Sequence, residues 1–398
     1  MNKSTASRGA LRPGSKRIMG LAVAAALALT LAACGGEGDS ADSATPTPTE
    51  PASTNTIEPA GPANTEPTTS SDSTTPAATD ADADSPYPLE IEVCGSDPVV
   101  IEQRPQRVIT TAPNITEYFL ALGLGDLVVG HFGGDLPVSA FVEEYQTIEK
   151  FSVAFNLEEI VALDPDLIYA GFGFGFENGT SLSPDGFAER GIAAIPLFGS
   201  CTYAENGENQ GANAEAAGLQ GNDLEATYVD IRTIGTIFDV ADEAEALIAE
   251  MTDTVETVGQ AVSDAETPSV FFYNGGDATP SSAGAISTPN ALITLGGGEN
   301  VFADLAEDYT SVSWEAVVAA NPDCVLVKNG SNAGNFGGDL ITFLKTSPIT
   351  SGLNAVANDC FFMLNQDHLT PGPLNAWAVQ AVGAWLHPDL VDVPAPTP

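Results

Sequence analysis

Arg107-Val108-Ile109-Thr110-Thr111, then Asn114-Ile115-Thr116-Glu117 running on to Leu122 and Gly123, then Leu127-Val128-Val129-Gly130, follow one another with only two and three residues between them. Residues 108–111 form a short run rich in β-branched side chains, which fits a strand. The segment that opens at Asn114 reads as a helix, and Gly123 stops it. Residues 127–130 make a second strand. Strand, helix and strand in this order form a βαβ unit, which requires a parallel sheet. The rhythm continues with a helix over 157–163 closed by Asp164-Pro165 and a strand over 167–170. A short helix over 187–190 ends at Gly191, and a strand follows over 194–197.

A loop rich in Gly, Asn and Glu (204–221) separates this half from a helical stretch. Leu247, Met251, Val255, Val258 and Val262 recur at three and four residues, the spacing of one helix face. With residues 223–238 they form a long helical connector. Beyond it the alternation resumes: strands over 269–273, 324–328 and 360–364, helices over 290–295, 313–320 and 374–386. The expected fold is α/β, two Rossmann-like lobes joined by a long helical connector. The lobes span 87–222 and 266–390, the connecting helices 223–265, and a tail 391–398. Such an architecture places a ligand cleft between the lobes, at the carboxyl ends of the strands.

The first 86 residues are of another kind. Lys3, Arg8, Arg12, Lys16 and Arg17 precede an apolar run over 18–33 that ends in Leu31-Ala32-Ala33-Cys34. A basic start, a short apolar core and small residues at the cut describe an export signal over 1–33. A transmembrane anchor would want roughly 20 apolar residues, more than this run supplies. Residues 34–86 are Ser, Thr, Pro, Ala and Asp with almost no large apolar side chains, so they are expected to be a disordered linker.

The whole chain carries 54 acidic residues against 12 basic, a formal charge of −42. Cleavage after residue 33 removes five basic residues and no acidic one, leaving 54 against 7, or −47. That imbalance argues against nucleic-acid or anionic-membrane binding through the protein surface. Four cysteines follow Cys34: Cys94, Cys201, Cys324 and Cys360. In an oxidising compartment an even number suggests two disulfides, with three possible connectivities. Each lobe holds two of the four, which favours Cys94–Cys201 and Cys324–Cys360.

The motifs of both halves resemble one family. Pro105-Gln106-Arg107-Val108-Ile109, Asn114-Ile115-Thr116-Glu117, Ala121-Leu122-Gly123, Asn156-Leu157-Glu158-Glu159-Ile160 and Leu163-Asp164-Pro165-Asp166-Leu167-Ile168 resemble class III periplasmic binding proteins. Gly296-Gly297-Gly298-Glu299-Asn300-Val301-Phe302, Val312-Ser313-Trp314-Glu315 and Asn321-Pro322-Asp323 continue the likeness, which covers about 88–390. The resemblance implies a substrate-binding protein that hands an iron-siderophore or cobalamin-like chelate to the permease dimer of an ABC importer. Its first lobe is most similar to actinobacterial lipoproteins, and Leu-Ala-Ala-Cys resembles a lipobox, so Cys34 would be acylated and anchor the chain to the membrane from outside the cell. It implies also that Glu158 and Glu315 dock onto the two permease subunits, that the connector is rigid, and that the protein is not an enzyme. A monomer with no cofactor is expected.

The ligand contacts are sought in the loops after the strands: Thr111, Asn114, His131, Phe132, Phe172 and Phe174 in the first lobe, and Tyr273, Lys328 and His368 in the second. The aromatics would hold a large, partly apolar chelate by area and stacking. Lys328 is the one basic residue expected there, which favours a neutral or cationic ligand such as a hydroxamate-type ferric siderophore or a corrinoid. The rival within binding proteins is a bare Mn, Zn or Fe ion held by His131, His368 and a carboxylate such as Asp135 or Asp367. A secreted enzyme is the more distant rival. Gly171-Phe172-Gly173-Phe174-Gly175 lacks the third glycine of a dinucleotide fingerprint, Gly296-Gly297-Gly298 lacks the Lys of a phosphate loop, and no Gly-x-Ser-x-Gly elbow occurs.

Overall fold

Two four-stranded parallel sheets carry the fold, and no strand belongs to both. The computed structural model describes residues 85–93, 97–133, 141–151, 156–171, 182–198, 224–330 and 337–394. The expected leader 1–33, Cys34, nearly all of the linker 34–86, Cys94, Cys201, Asp135, Phe172, Phe174 and the loop 204–221 lie outside the described residues.

The first sheet contains β3 (Val108–Thr110), β4 (Val128–His131), β5 (Leu167–Ala170) and β6 (Ala193–Pro196), in the order β4-β3-β5-β6. An antiparallel pair, β1 (Leu89–Ile91) and β2 (Val99–Ile101), precedes it. The sheet strands are apolar on both faces because both faces are covered. Val108, Leu167, Tyr169 and Ile195 pack one way, with Tyr118, Phe119 and Ile231. Ile109, Ile168, Ala170 and Ala194 pack the other way, with Ile160 and Phe187. Helix α1 (Pro113–Ala121) joins β3 to β4, and α2 (Val142–Tyr145) and α3 (Leu157–Ala162) lie between β4 and β5. Helix α4 (Pro184–Ala188) begins earlier than expected. Ser183 caps it by accepting from the backbone N–H of Gly186, and Pro184 fits a first turn that needs no donor.

The second sheet repeats the plan. Strands β7 (Ser269–Tyr273), β9 (Glu299–Asn300), β11 (Cys324–Asn329) and β12 (Phe361–Asn365) run in the order β12-β11-β7-β9. Numbered within each lobe, both sheets read 2-1-3-4. A second antiparallel pair, β8 (Ser281–Ala283) with β10 (Tyr309–Ser311), flanks this sheet. Val270, Phe272 and Leu326 enter one core and Phe271, Tyr273, Val325 and Val327 the other.

One device starts the third strand of each lobe. Asp166 accepts from the backbone N–H groups of Gln106 (2.7 Å) and Arg107 (2.9 Å), holding the beginnings of β3 and β5 together. Asp323 does the same for β7 and β11, accepting from the N–H (3.1 Å) and hydroxyl (2.7 Å) of Ser269. These bonds hold the Asp323 carboxyl below its usual pKa range. In each lobe the residue two positions earlier, Asp164 or Asn321, takes a left-handed turn (φ 48° and 45°) before a proline.

The connector consists of α5 (Glu225–Ile237) and α6 (Ala241–Val262), turned against each other at Phe238–Val240. The turn is tight. A Cβ on Gly235 would sit 2.6 Å from that of Ala244, so only glycine permits this approach. At 22 residues α6 is roughly 33 Å long. Ala244, Ile248 and Met251 enter the first core and Val258 the second, while Val255 touches both. One helix thus belongs to both lobes. The last helix, α11 (Asn375–Leu386), packs on α6, and Val391 beyond it is still buried in the second core. Helix α7 (Thr288–Leu295), α8 (Trp314–Ala320), α9 (Gly337–Thr346) and α10 (Asn354–Ala357) complete the second lobe. Among the described residues no helix is long and apolar enough to cross a membrane.

Candidate functional site

The carboxyl ends of the parallel strands are where the fold gathers polar groups. In the first lobe Thr111 accepts from the N–H of Gly171 (3.3 Å), tying the end of β3 to the end of β5. His131 ends β4; it is buried, its ring 4.2 Å from that of Tyr145. In the second lobe Lys328 and Asn329 end β11, Asn365 ends β12, and Asn274 follows β7. Asn329 donates to Asn365 (3.0 Å), and Asn274 donates to Ser281 (3.2 Å). Lys328 is half-buried, and burial lowers its ammonium pKa.

After β12 a 3₁₀ turn, Gln366–Leu369, sets two titratable side chains in a poorly solvated place. Burial raises the Asp367 carboxyl to about 6 and lowers the His368 imidazole to about 4. His368 is 2% exposed, its ring 4.9 Å from that of Trp377, and neither ring nitrogen has a hydrogen-bond partner among the described residues.

The loop that follows joins the lobes. Asn375, fully buried, donates to the carbonyls of His368 (3.0 Å) and Thr370 (2.9 Å). Its own carbonyl oxygen accepts from the N–H of Gly372 (2.9 Å) and the hydroxyl of Thr227 (3.1 Å) on α5. Asn114, at the start of α1, donates to the carbonyl of Pro371 (2.7 Å). Residues 368–372 are therefore held from the second lobe by Asn375 and from the first by Asn114.

Several residues expected at the ligand have neighbours within the protein. Asn114 spends its side-chain N–H on the opposite lobe. Phe132 lies flat on Phe151 at 4.3 Å with an interplanar angle of 9°, so one face of its ring is taken up inside its own lobe. Tyr273 is 0% exposed and packs with Phe271, Trp314 and Phe343. It follows Phe271 by two residues and so faces the same core. Nor is Lys328 the only lysine at a strand end: the exposed Lys150 forms a parallel bridge with His131 beside the end of β4. Nothing in the loop sequence Glu149-Lys150 marks it. The arginines have partners elsewhere: Arg107 on the carbonyls of Leu163 and Asp164, Arg104 on that of Phe238, Arg190 on that of Gly186, and Arg232 on Glu225 and Glu245. Among the described residues no group of three or more His, Cys, Asp or Glu is placed to hold a metal ion.

Away from the strand ends, Glu158 and Glu315 are both exposed and both stand in the first turn of the helix that leads into the third strand of their lobe. Asn156 caps α3 by accepting from Glu158 N–H (2.9 Å), and Ser313 caps α8 by accepting from Ala316 N–H (3.1 Å). A carboxylate in a first turn is favoured by the helix dipole. Cys324 and Cys360 form a disulfide that ties the start of β11 to the residue before β12, with their Cα atoms 4.8 Å apart.

Known proteins share this fold. Residues 108–368 match the family described as periplasmic binding protein. The ABC transporter substrate-binding lipoprotein YvrC of Bacillus subtilis is 23% identical over 311 residues, covering 76% of this chain and 87% of the relative. A cobalamin-binding protein of Halobacterium salinarum is 25% identical over 75% of this chain and 74% of its own. A vitamin B12-binding protein of Vibrio vulnificus is 26% identical over 70% and 88%. In fold, the chain is similar to a periplasmic binding protein from Veillonella parvula (TM-score 0.65, 20% identity, 76% of this chain and 98% of that one). It is similar also to a protein of an ABC-type Fe3+-hydroxamate transport system from Saccharomonospora viridis (TM-score 0.61, 22% identity, 76% and 99%). With more than half of its length matched, and with relatives that are ABC transporter substrate-binding proteins rather than enzymes, the chain belongs to the class III periplasmic binding protein family.

Proposed function

We propose that this protein is the extracytoplasmic, lipid-anchored substrate-binding component of an ABC importer, and that it captures a corrinoid or ferric-siderophore chelate without transforming it. One observation carries the reading: two sheets of identical strand order direct their carboxyl ends to a region where a single loop, 368–372, is gripped from both lobes. The cobalamin- and B12-binding names of its relatives favour a corrinoid among the chelates. The lobes are 87–222 and 266–390, bridged by 223–265.

The ligand lies between His131 on one side and Lys328 and His368 on the other, with Lys150 at the rim. Two lysines against a formal charge of −47 for the chain without residues 1–33 favour a neutral or cationic ligand. Cys34 carries the lipid, residues 35–86 tether the lobes to the membrane, and Glu158 and Glu315 dock on the two permease subunits. Equivalent placement of the two carboxylates, one per lobe, supports the docking role.

Fluorescence titration of the purified chain with cyanocobalamin, a ferrioxamine-type chelate, a ferric catecholate, Zn2+ and Mn2+ tests the ligand class. The reading expects one of the first two to bind most tightly. Tightest binding of the catecholate overturns the charge argument, and tightest binding of a bare ion overturns the chelate. Loss of membrane association in Cys34→Ser tests the anchor, and loss of uptake with unchanged ligand affinity in E158Q/E315Q tests the docking.

A further inference from the structure

The helices that carry Glu158 and Glu315 share more than their carboxylates. Asn156-Leu157-Glu158-Glu159-Ile160-Val161-Ala162-Leu163-Asp164-Pro165-Asp166 and Ser313-Trp314-Glu315-Ala316-Val317-Val318-Ala319-Ala320-Asn321-Pro322-Asp323 align without a gap. Every structural role is duplicated in register. The cap is Asn156 or Ser313, the inward-facing residue Ile160 or Val317, the left-handed turn Asp164 or Asn321, and the strand-starting carboxylate Asp166 or Asp323.

The solvent faces are duplicated too. Few large apolar side chains are exposed among the described residues, and two of them, Val161 (45%) and Val318 (42%), occupy the same position in the two copies. Each lies three residues after the docking carboxylate, on the same face of its helix one turn along. Ala162 and Ala319 beside them are also exposed. A single exposed valine calls for no explanation. The same valine on the same turn of two helices that share no core does. Folding does not require it, because each helix already buries Ile160 or Val317 against its sheet.

We infer that Val161 and Val318 are the apolar half of a duplicated docking surface, and that each inserts beside a basic group on one of two equivalent permease subunits. This rests on the docking role proposed for Glu158 and Glu315. A charge at the edge of a contact sets orientation and rate, whereas the desolvated apolar centre sets how long the complex lasts. A partner built from two equal subunits explains why one chain presents the same Glu-x-x-Val-Ala face twice.

The test uses the full lipid-anchored chain in membranes of the cells that make it. A photo-crosslinking amino acid is placed at 161, at 318, or at exposed Val100 on the β1–β2 pair as a control. The inference expects 161 and 318 to capture the same ABC permease polypeptide and 100 to capture none. In parallel, V161S, V318S and E158Q/E315Q are compared for ligand affinity and uptake. Each valine substitution is expected to weaken permease binding about tenfold with ligand affinity unchanged, equivalent to about 1.4 kcal/mol. Wild-type uptake in V161S/V318S, with E158Q/E315Q impaired and no permease captured at either valine, overturns the inference and leaves the carboxylate docking standing. Wild-type uptake in E158Q/E315Q overturns the docking role itself.

Discussion

Asn375→Ala removes the side chain on which the loop between the lobes is strung. Four polar groups lose their partner at once: the carbonyls of His368 and Thr370, the N–H of Gly372 and the hydroxyl of Thr227. The site is fully buried, so water does not readily replace the amide. An intramolecular hydrogen bond is worth about 1 kcal/mol net, and a buried group left unpaired costs about 1–3 kcal/mol. Partial relaxation of the loop keeps the sum below the upper limit, and about 4 kcal/mol of destabilisation is expected. Asn375→Asp is the sharper comparison. It keeps an acceptor for Gly372 and Thr227 but sets a carboxylate oxygen against two carbonyls, so it should be no better than alanine. Urea unfolding at neutral pH measures both variants, with the midpoint shifting and the slope unchanged. A loss below about 1 kcal/mol for Asn375→Ala would falsify the view that this side chain carries the loop.

Other outcomes rest on single groups in the fold. Asp367, raised to about 6, makes stability fall as pH rises from about 4 to 6, because the unfolded carboxyl ionises first; His368, lowered to about 4, makes stability rise from about 4 to 6.5, because the unfolded imidazole holds the proton. The two slopes oppose each other, so urea midpoints in Asp367→Asn should rise with pH across this window and those in His368→Gln should fall; parallel profiles in both variants would contradict the assignment. Reducing the Cys324–Cys360 bridge, which closes a loop of 36 residues, should cost about 3–4 kcal/mol, read as a lower calorimetric Tm with reductant. Gly235→Ala, whose new Cβ would meet Ala244 at 2.6 Å, should lose about 1–3 kcal/mol by prying α5 from α6, and Ala244→Gly should restore part of it.

How much of this was legible depends on what the residues had to report. The strands were readable wherever both faces are buried: β5 and β7 fall where the sequence put them, since Leu-Ile-Tyr-Ala and Ser-Val-Phe-Phe-Tyr have no other stable use in a parallel sheet. The connector was readable from the spacing of Leu247, Met251, Val255, Val258 and Val262, and its first segment, expected to end at residue 238, ends at Ile237 with Phe238 as cap, just before the left-handed Asp239 (φ 53°). Strands β8 and β10, built of Ser, Ala, Thr and Tyr, exist only because they pair with each other across intervening chain. Helix α9 hid behind Gly337-Gly338, which discourage a helical reading at its first turn. The site was harder. Position at a strand's end was inferred correctly for Thr111, His131, Tyr273 and Lys328, but position does not fix where a side chain goes. Tyr273 follows Phe271 onto a buried face, Phe132 meets Phe151, and Asn114 reaches the other lobe, all through neighbours distant in sequence.

The central claim is that the two lobes hold a chelate between them, and native mass spectrometry of the gently purified full chain addresses it most directly. The expected spectrum contains the protein plus one intact corrinoid- or siderophore-sized ligand, released by denaturation and restored by adding cyanocobalamin or a ferrioxamine-type complex. A chain that carries only a bare metal ion, or that takes up none of these chelates while folded, would contradict it.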